Sequence, residues 1–227
     1  MKHGLPRFFD DPAQSGPDGL VNVGGDLSPE LMLDAYRHGI FPWPNDEDDP
    51  MLWWSPDPRA ILPLDGLNVS SRLRRTLRSQ KFSVACDTDF VGVMRCCAAG
   101  PGREGGTWIT EEMIEGYTRL HRLGFAHSVE VRLEDRLVGG VYGVSMGGLF
   151  AAESMFYRER DASKVALCHL ASHLVARGYR LVDVQQWTPH TGRMGAVEIS
   201  RDEYLGRLPE MVELPITFGR KLESGDF

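Results

Sequence analysis

The sequence lacks any apolar segment long enough to cross a bilayer, and its first residues lack the apolar core of a signal peptide. Its longest uncharged run, 137–152, is short for a membrane helix and rich in glycine. Cysteine is scarce, and the irregular spacing of the four thiols disfavours a disulfide framework. The adjacent Cys96 and Cys97 match no zinc motif. We therefore expect a cytoplasmic protein with reduced thiols and no structural metal.

Two catalytic signatures are also missing. His169 and His173 are four residues apart, but the glutamate of a zinc-protease motif does not accompany them. Ser154 lacks the flanking glycines of a hydrolase nucleophile elbow. These absences argue against both kinds of hydrolase.

Positive charge is scarce overall, because the net charge is −7, yet it is concentrated in residues 70–81. This segment contains no acid, and a serine at 70 or 71 is suited to cap a helix there. Its five cations are Arg72, Arg74, Arg75, Arg78 and Lys81. Such a helix fits a phosphate backbone, although charge alone slightly favours a solvated surface helix.

Acidic residues are nearly absent from 137–157, where Glu153 is the one carboxylate in an apolar, glycine-rich stretch. Buried glutamates are rare unless they are paired, because desolvation disfavours the charged form. Glu153 therefore needs either an internal cation, such as Lys164 or Arg158, or a cationic substrate. Both alternatives remain open from the residues alone.

Prolines 42, 44, 56 and 58 predict that the aromatic residues around them lie on stiff loops, in a small N-terminal lobe of residues 1–65. Residues 66–227 show a more regular pattern. We predict strands at 81–86, 127–133, 137–144, 149–156, 180–184 and 196–199, and helices at 28–39, 70–81, 88–98, 110–124, 162–177 and from 200 onwards. This order of strands and helices is typical of the α+β class and matches the GNAT-like acyltransferase fold.

A coenzyme A donor is disfavoured by the position of the nearest phosphate-loop string. That string, Arg136-Leu-Val-Gly139-Gly140-Val141, begins at a hairpin turn and continues into a strand, where no helix N-terminus is available for phosphate. A CoA-dependent N-acyltransferase and a non-catalytic RNA-binding module remain as alternatives to the function considered next.

Several long strings resemble the leucyl/phenylalanyl-tRNA–protein transferases of bacteria, including GGDLSPELMLDAYRHGIFPW, WWSPDPRAIL, GTWIT, LFAAESMF and LVDVQQWTPHTGRMGA. The resemblance covers about residues 20–205. It implies a small lobe on a GNAT-like domain, and transfer of Leu or Phe from aminoacyl-tRNA to the N-terminal Arg or Lys of a protein. The product is marked for N-degron degradation. Because the tRNA ester is already activated, we expect no coenzyme and no catalytic metal.

The resemblance assigns the chemistry to Asp183 and Gln185, with the Gln185 carbonyl beside the attacking amine and Asp183 polarising it. Strand alternation predicts that both side chains share one face. Without the resemblance, a hydrogen-bond network at a strand end explains this pair equally well. The resemblance also implies that Glu153 contacts the cationic acceptor.

The donor requires an apolar pocket and an adenine-stacking ring. By resemblance the pocket residues are Val141, Phe150, Leu170, Leu174 and Val182, although an apolar stripe more often forms core. We expect one of Trp53, Trp54 and Trp108 to stack the 3′-terminal adenine. The cations of residues 70–81 are then expected to bind the tRNA backbone.

Overall fold

The computed structural model describes residues 4–45, 49–99 and 107–223. The strands are β1 (Leu20–Val23), β2 (Phe41–Pro42), β3 (Leu52–Trp54), β4 (Arg59–Ile61), β5 (Ser83–Cys86), β6 (Ala126–Leu133), β7 (Arg136–Met146), β8 (Leu149–Tyr157), β9 (Leu181–Gln185) and β10 (Val197–Ile199). The α-helices are α1 (Pro29–Arg37), α2 (Ser71–Arg78), α3 (Phe90–Ala98), α4 (Glu111–Arg122), α5 (Ala162–Arg177), α6 (Pro189–Arg193) and α7 (Arg201–Val212). The predicted α+β class and the GNAT-like order of elements are confirmed.

The larger sheet has seven strands in the order β10-β4-β9-β8-β7-β6-β5. Strands β6, β7 and β8 form the predicted antiparallel meander, because short turns join them. Helix α5 then carries the chain back, so that β9 pairs with β8 in parallel. This pairing sets Asp183 opposite Ala151, two residues before Glu153 on the neighbouring strand.

A second sheet of three short strands, in the order β1-β3-β2, contains the aromatic residues that we expected on loops. That expectation is wrong for Phe41, Trp53 and Trp54, because the prolines fall at the ends of these strands and not inside β3. Residues 59–61 also form a strand, and it belongs to the larger sheet. The lobe boundary near residue 65 remains a prediction.

The predicted helix starts depend on side-chain caps. Ser70 accepts a hydrogen bond from the Leu73 N–H at the start of α2, and Thr110 and Ser200 cap α4 and α7 in the same way. Helix α5 ends at Gly178, whose φ of +86° is favourable only for glycine. Among the described residues, no helix combines the length and apolar character that crossing a bilayer requires.

Candidate active site

A cavity of about 370 Å³ lies beside the parallel pair β8 and β9, a volume typical of small-molecule sites. Its apolar and aromatic wall consists of Phe41, Pro42, Trp43, Trp108, Val141, Ala152, Met155 and Val184. Its polar wall consists of Glu153, Ser154, Gln185, Gln186, Thr188, His190 and Thr191. Among the described lining residues, Glu153 is therefore the one carboxylate, and no lysine or arginine accompanies it.

Glu153 is held by neutral partners. The Tyr117 hydroxyl donates to its Oε2 at 3.0 Å, and the Gln185 Nε2 donates to its Oε1 at 3.1 Å. Tyr36 extends this network, since the two tyrosine hydroxyls lie 2.5 Å apart. No cationic nitrogen of the described residues lies within 4.0 Å of the Glu153 carboxylate, and Lys164 pairs with Asp161 instead at 3.7 Å.

Burial raises the pKa of Glu153 from 4.5 to about 8. Hydrogen bonds from Tyr36 and Tyr117 oppose this rise in pKa, and the negative charge of Asp183 adds to it. The carboxyl group is therefore mostly protonated near neutral pH. A cationic ligand in the cavity would favour its ionised form.

Asp183 lies outside the cavity and is fully engaged. Arg59 binds it through two hydrogen bonds, from Nε to Oδ1 at 2.9 Å and from Nη2 to Oδ2 at 2.6 Å. The Tyr204 hydroxyl donates to Oδ2 at 2.9 Å. Both members of the ion pair are buried. Although burial alone would lower the Arg59 pKa, the charge of Asp183 raises it overall, so the guanidinium stays charged.

Gln185 occupies the left-handed backbone region, with φ of +57° at the end of β9. Its main-chain N–H donates to Asp183 Oδ1 at 2.9 Å, while its side chain lines the cavity. That Asp183 and Gln185 present their side chains on one face stays a prediction. Asp183 fixes the backbone from which the Gln185 side chain extends.

Trp43 and Trp108 form an edge-to-face pair on the aromatic wall, with ring centroids 6.0 Å apart. Trp54 supports this wall, since its indole N–H donates to the Trp43 carbonyl at 2.9 Å. Trp53 is fully buried and donates to the Gly24 carbonyl at 2.8 Å, so it offers no face to a nucleotide. Trp43 was missed by sequence reasoning. Its place between Pro42 and Pro44, on a constrained segment, was the available signal.

Only one of the predicted apolar pocket residues lines the cavity. Val141 lines it, but Phe150, Leu170, Leu174 and Val182 are buried in a core cluster and do not. These four pack in the same core cluster as Val141, and their role in the donor pocket stays a prediction. Ala152, Met155 and Val184 supply further apolar surface of the cavity.

Comparison with known proteins identifies the family of this chain. A family model described as leucyl/phenylalanyl-tRNA protein transferase matches residues 61–209, and the model of that family's N-terminal domain matches residues 25–57. The chain belongs to the leucyl/phenylalanyl-tRNA–protein transferase family. The resemblance predicted from the sequence, and with it an aminoacyltransferase, is confirmed.

Two relatives with that name show how far the similarity extends. The protein from Nitratidesulfovibrio vulgaris (strain DP4) is 53% identical over 221 residues, covering 97% of this chain and 94% of the relative. The protein from Anaeromyxobacter sp. (strain Fw109-5) is 52% identical over 227 residues, covering 98% and 96%.

Solved structures are more distant. The structure of L-PGS from Bacillus licheniformis aligns at a TM-score of 0.42 and 12% identity, covering 82% of this chain and 70% of that one. A GCN5-related N-acetyltransferase from Kribbella flavida aligns at a TM-score of 0.35 and 10% identity, covering 76% and 61%.

The five cations of the basic segment predicted to bind tRNA are exposed in this family member. The side chains of Arg74, Arg75 and Arg78 lie on the surface of α2. Arg72 pairs with Asp161 at 2.9 Å, and Lys81 lies 3.7 Å from Glu159. Leu73 is buried and anchors the helix. Whether these cations bind tRNA remains a prediction.

Proposed function

We propose that this protein works in the cytoplasm and transfers Leu or Phe from aminoacyl-tRNA to proteins with N-terminal Arg or Lys, marking them for N-degron degradation. The observation that carries the acceptor assignment is the Glu153 carboxyl group. It lies in an otherwise uncharged cavity and is bonded only to neutral partners among the described residues. A cationic acceptor supplies the missing counter-charge, and the charge-assisted hydrogen bond offsets the cost of ionising Glu153.

The donor occupies the aromatic side of the cavity. An adenine that stacks on Trp43 or Trp108 gains about 1–3 kcal/mol, and both rings already face the cavity. The leucyl or phenylalanyl side chain then contacts the wall of Val141, Met155 and Val184. Small-molecule sites combine an apolar wall with a few polar groups in this way.

Because the tRNA ester is already activated, the transfer depends mainly on aligning the acceptor amine with the ester carbonyl. The α-amine nitrogen attacks the ester carbonyl, an amide forms as the bond to the ribose oxygen breaks, and the proton lost by the amine is balanced by the proton that this oxygen gains to become a hydroxyl. The Gln185 amide nitrogen donates to Glu153, so its carbonyl oxygen remains as the acceptor for the amine. Asp183 is a positioning residue in this scheme, because it acts through the Gln185 main-chain N–H.

The test is incubation with [³H]Leu-tRNA and a peptide with N-terminal Arg, beside the same peptide with its α-amine acetylated. We expect RNase-sensitive label transfer to the free amine only. Glu153→Gln should raise the KM for the peptide and leave the Kd for Leu-tRNA nearly unchanged. Absence of transfer with the wild-type protein would refute the proposal, and loss of tRNA binding in Glu153→Gln would refute the role of Glu153.

A further inference from the structure

A second cavity, of about 410 Å³, is strongly basic although the protein is acidic overall. The β8–α5 loop, the first turn of α5, α2 and α6 contribute to its walls. Its five cations are Arg72, Arg158, Arg160, Lys164 and Arg193. Among the described residues that line it, Asp161 is the one acid, and this carboxylate pairs with Arg72 at 2.9 Å and with Lys164 at 3.7 Å.

Three of these arginines have no acidic partner in the described part of the chain. No described carboxylate lies within 4.0 Å of Arg158, Arg160 or Arg193. Like charges gathered in a cavity repel one another, and an anion relieves that repulsion. The cavity is therefore complementary to an anionic ligand.

His190 connects the two cavities, because it lines both of them. Its Nε2 is buried and has no hydrogen-bond partner among the described residues. Burial lowers the pKa of this imidazole, and the charges of Lys164 and Arg193 lower it further. A neutral ring at this junction offers either a donor or an acceptor to a ligand that spans both cavities.

The start of α5 adds to the positive potential. This helix has 16 residues and no acid in its first turn, and Ser163 and Lys164 from that turn line the cavity. The amino end of a helix favours anions, because its first N–H groups lack partners within the helix.

We infer that this basic cavity binds the 5′-phosphate of the terminal adenosine of the tRNA, the group that joins it to the preceding nucleotide. The inference rests on the proposed function, which places that adenosine in the neighbouring cavity. Arg72 belongs to both the basic cavity and α2, so the phosphate lies on a continuous path from the aromatic wall to the other cations of α2.

The experiment uses two stable probes, 3′-deoxy-3′-(leucylamino)adenosine with and without a 5′-phosphate. Their Kd values are measured by calorimetry at low salt on the full chain. We expect the phosphate to tighten binding to the wild-type protein by about tenfold or more, since hydrogen bonds between charged groups are among the stronger ones. The variant Arg160→Ala/Arg193→Ala should lose most of that gain. Both arginines are exposed, so the variant should fold.

The matched control is Arg122→Ala/Arg220→Ala, which removes two exposed arginines that line neither cavity. It should keep the full phosphate gain. A wild-type protein that transfers Leu from tRNA and binds the unphosphorylated probe, but shows no phosphate gain, would overturn this inference alone. Equal phosphate gains in the two double variants would overturn it as well. Absence of both probe binding and transfer would overturn the proposed function and this inference together.

Discussion

Replacing Glu153 with Gln should stabilise the protein, and the gain should grow as the pH rises. The substitution keeps the shape of the side chain and removes the ionisable group. Its amide oxygen can accept from Gln185 as before, and its NH2 group can donate to the Tyr117 hydroxyl, which reverses that hydrogen bond. In the folded wild-type protein, burial holds the pKa of Glu153 at about 8, against an ordinary value of 4.5. The folded state therefore binds this proton more tightly than the unfolded state does.

The direction of this pH effect follows from the linkage between proton binding and folding. With a raised pKa in the folded state, the contribution of Glu153 to stability is fully present below pH 4.5 and is lost as the pH rises to about 8. At about 1.36 kcal/mol per pH unit, the loss reaches about 4 kcal/mol at pH 8 and about 3 kcal/mol at pH 7. Since Glu153 lines a cavity that admits water, the measured loss should be roughly 2–4 kcal/mol.

The assay is urea unfolding of the wild-type protein and Glu153→Gln at intervals from pH 5 to pH 8.5. The difference in free energy of unfolding should widen with pH in favour of the variant. Glu159→Gln serves as a control, because Glu159 pairs with Lys81 at 3.7 Å outside the cavity, and it should show no such widening. A constant difference between wild type and Glu153→Gln over this range would refute the reasoning.

Two further predictions concern residues that sequence reasoning grouped with the site. Asp183→Asn leaves Arg59 buried without its counter-charge, so the free energy of unfolding should fall by about 3–5 kcal/mol in urea titrations; a loss below about 1 kcal/mol would contradict the structural role of this pair. Trp108→Ala should weaken binding of the leucylamino adenosine probe by about 1–3 kcal/mol with little loss of stability. Trp53→Ala should do the reverse, costing about 3–5 kcal/mol of stability, and the opposite pattern would contradict the assignment of the two rings.

Activity measurements on Asp183 variants require stability measurements beside them. A variant at this position disturbs a buried ion pair as well as the cavity, because Asp183 binds Arg59 directly and contacts the Gln185 main chain. Loss of transfer by such a variant must be compared with its stability. Gln185→Ala is the more direct test of the amine-binding role, since this side chain lines the cavity.

Local signals in the sequence account for the parts of the fold that were predicted well. Helix α5 follows from its apolar pattern and Gly178, and α2 follows from the serine cap at residue 70. The short strands β2, β3 and β4 were missed because two or three residues between prolines carry no readable alternation. Their hydrogen bonds come from strands distant in the sequence, which no local pattern reveals.

By itself, the sequence determined the order of elements, the family, and the presence of one carboxylate in an apolar strand. Only the tertiary structure decided what each side chain meets. It assigned Arg59 to Asp183 and left Glu153 with neutral partners, because burial and long-range pairing set which charges come within contact distance. The tertiary structure also places Trp53 in the core and Trp43 in the cavity wall.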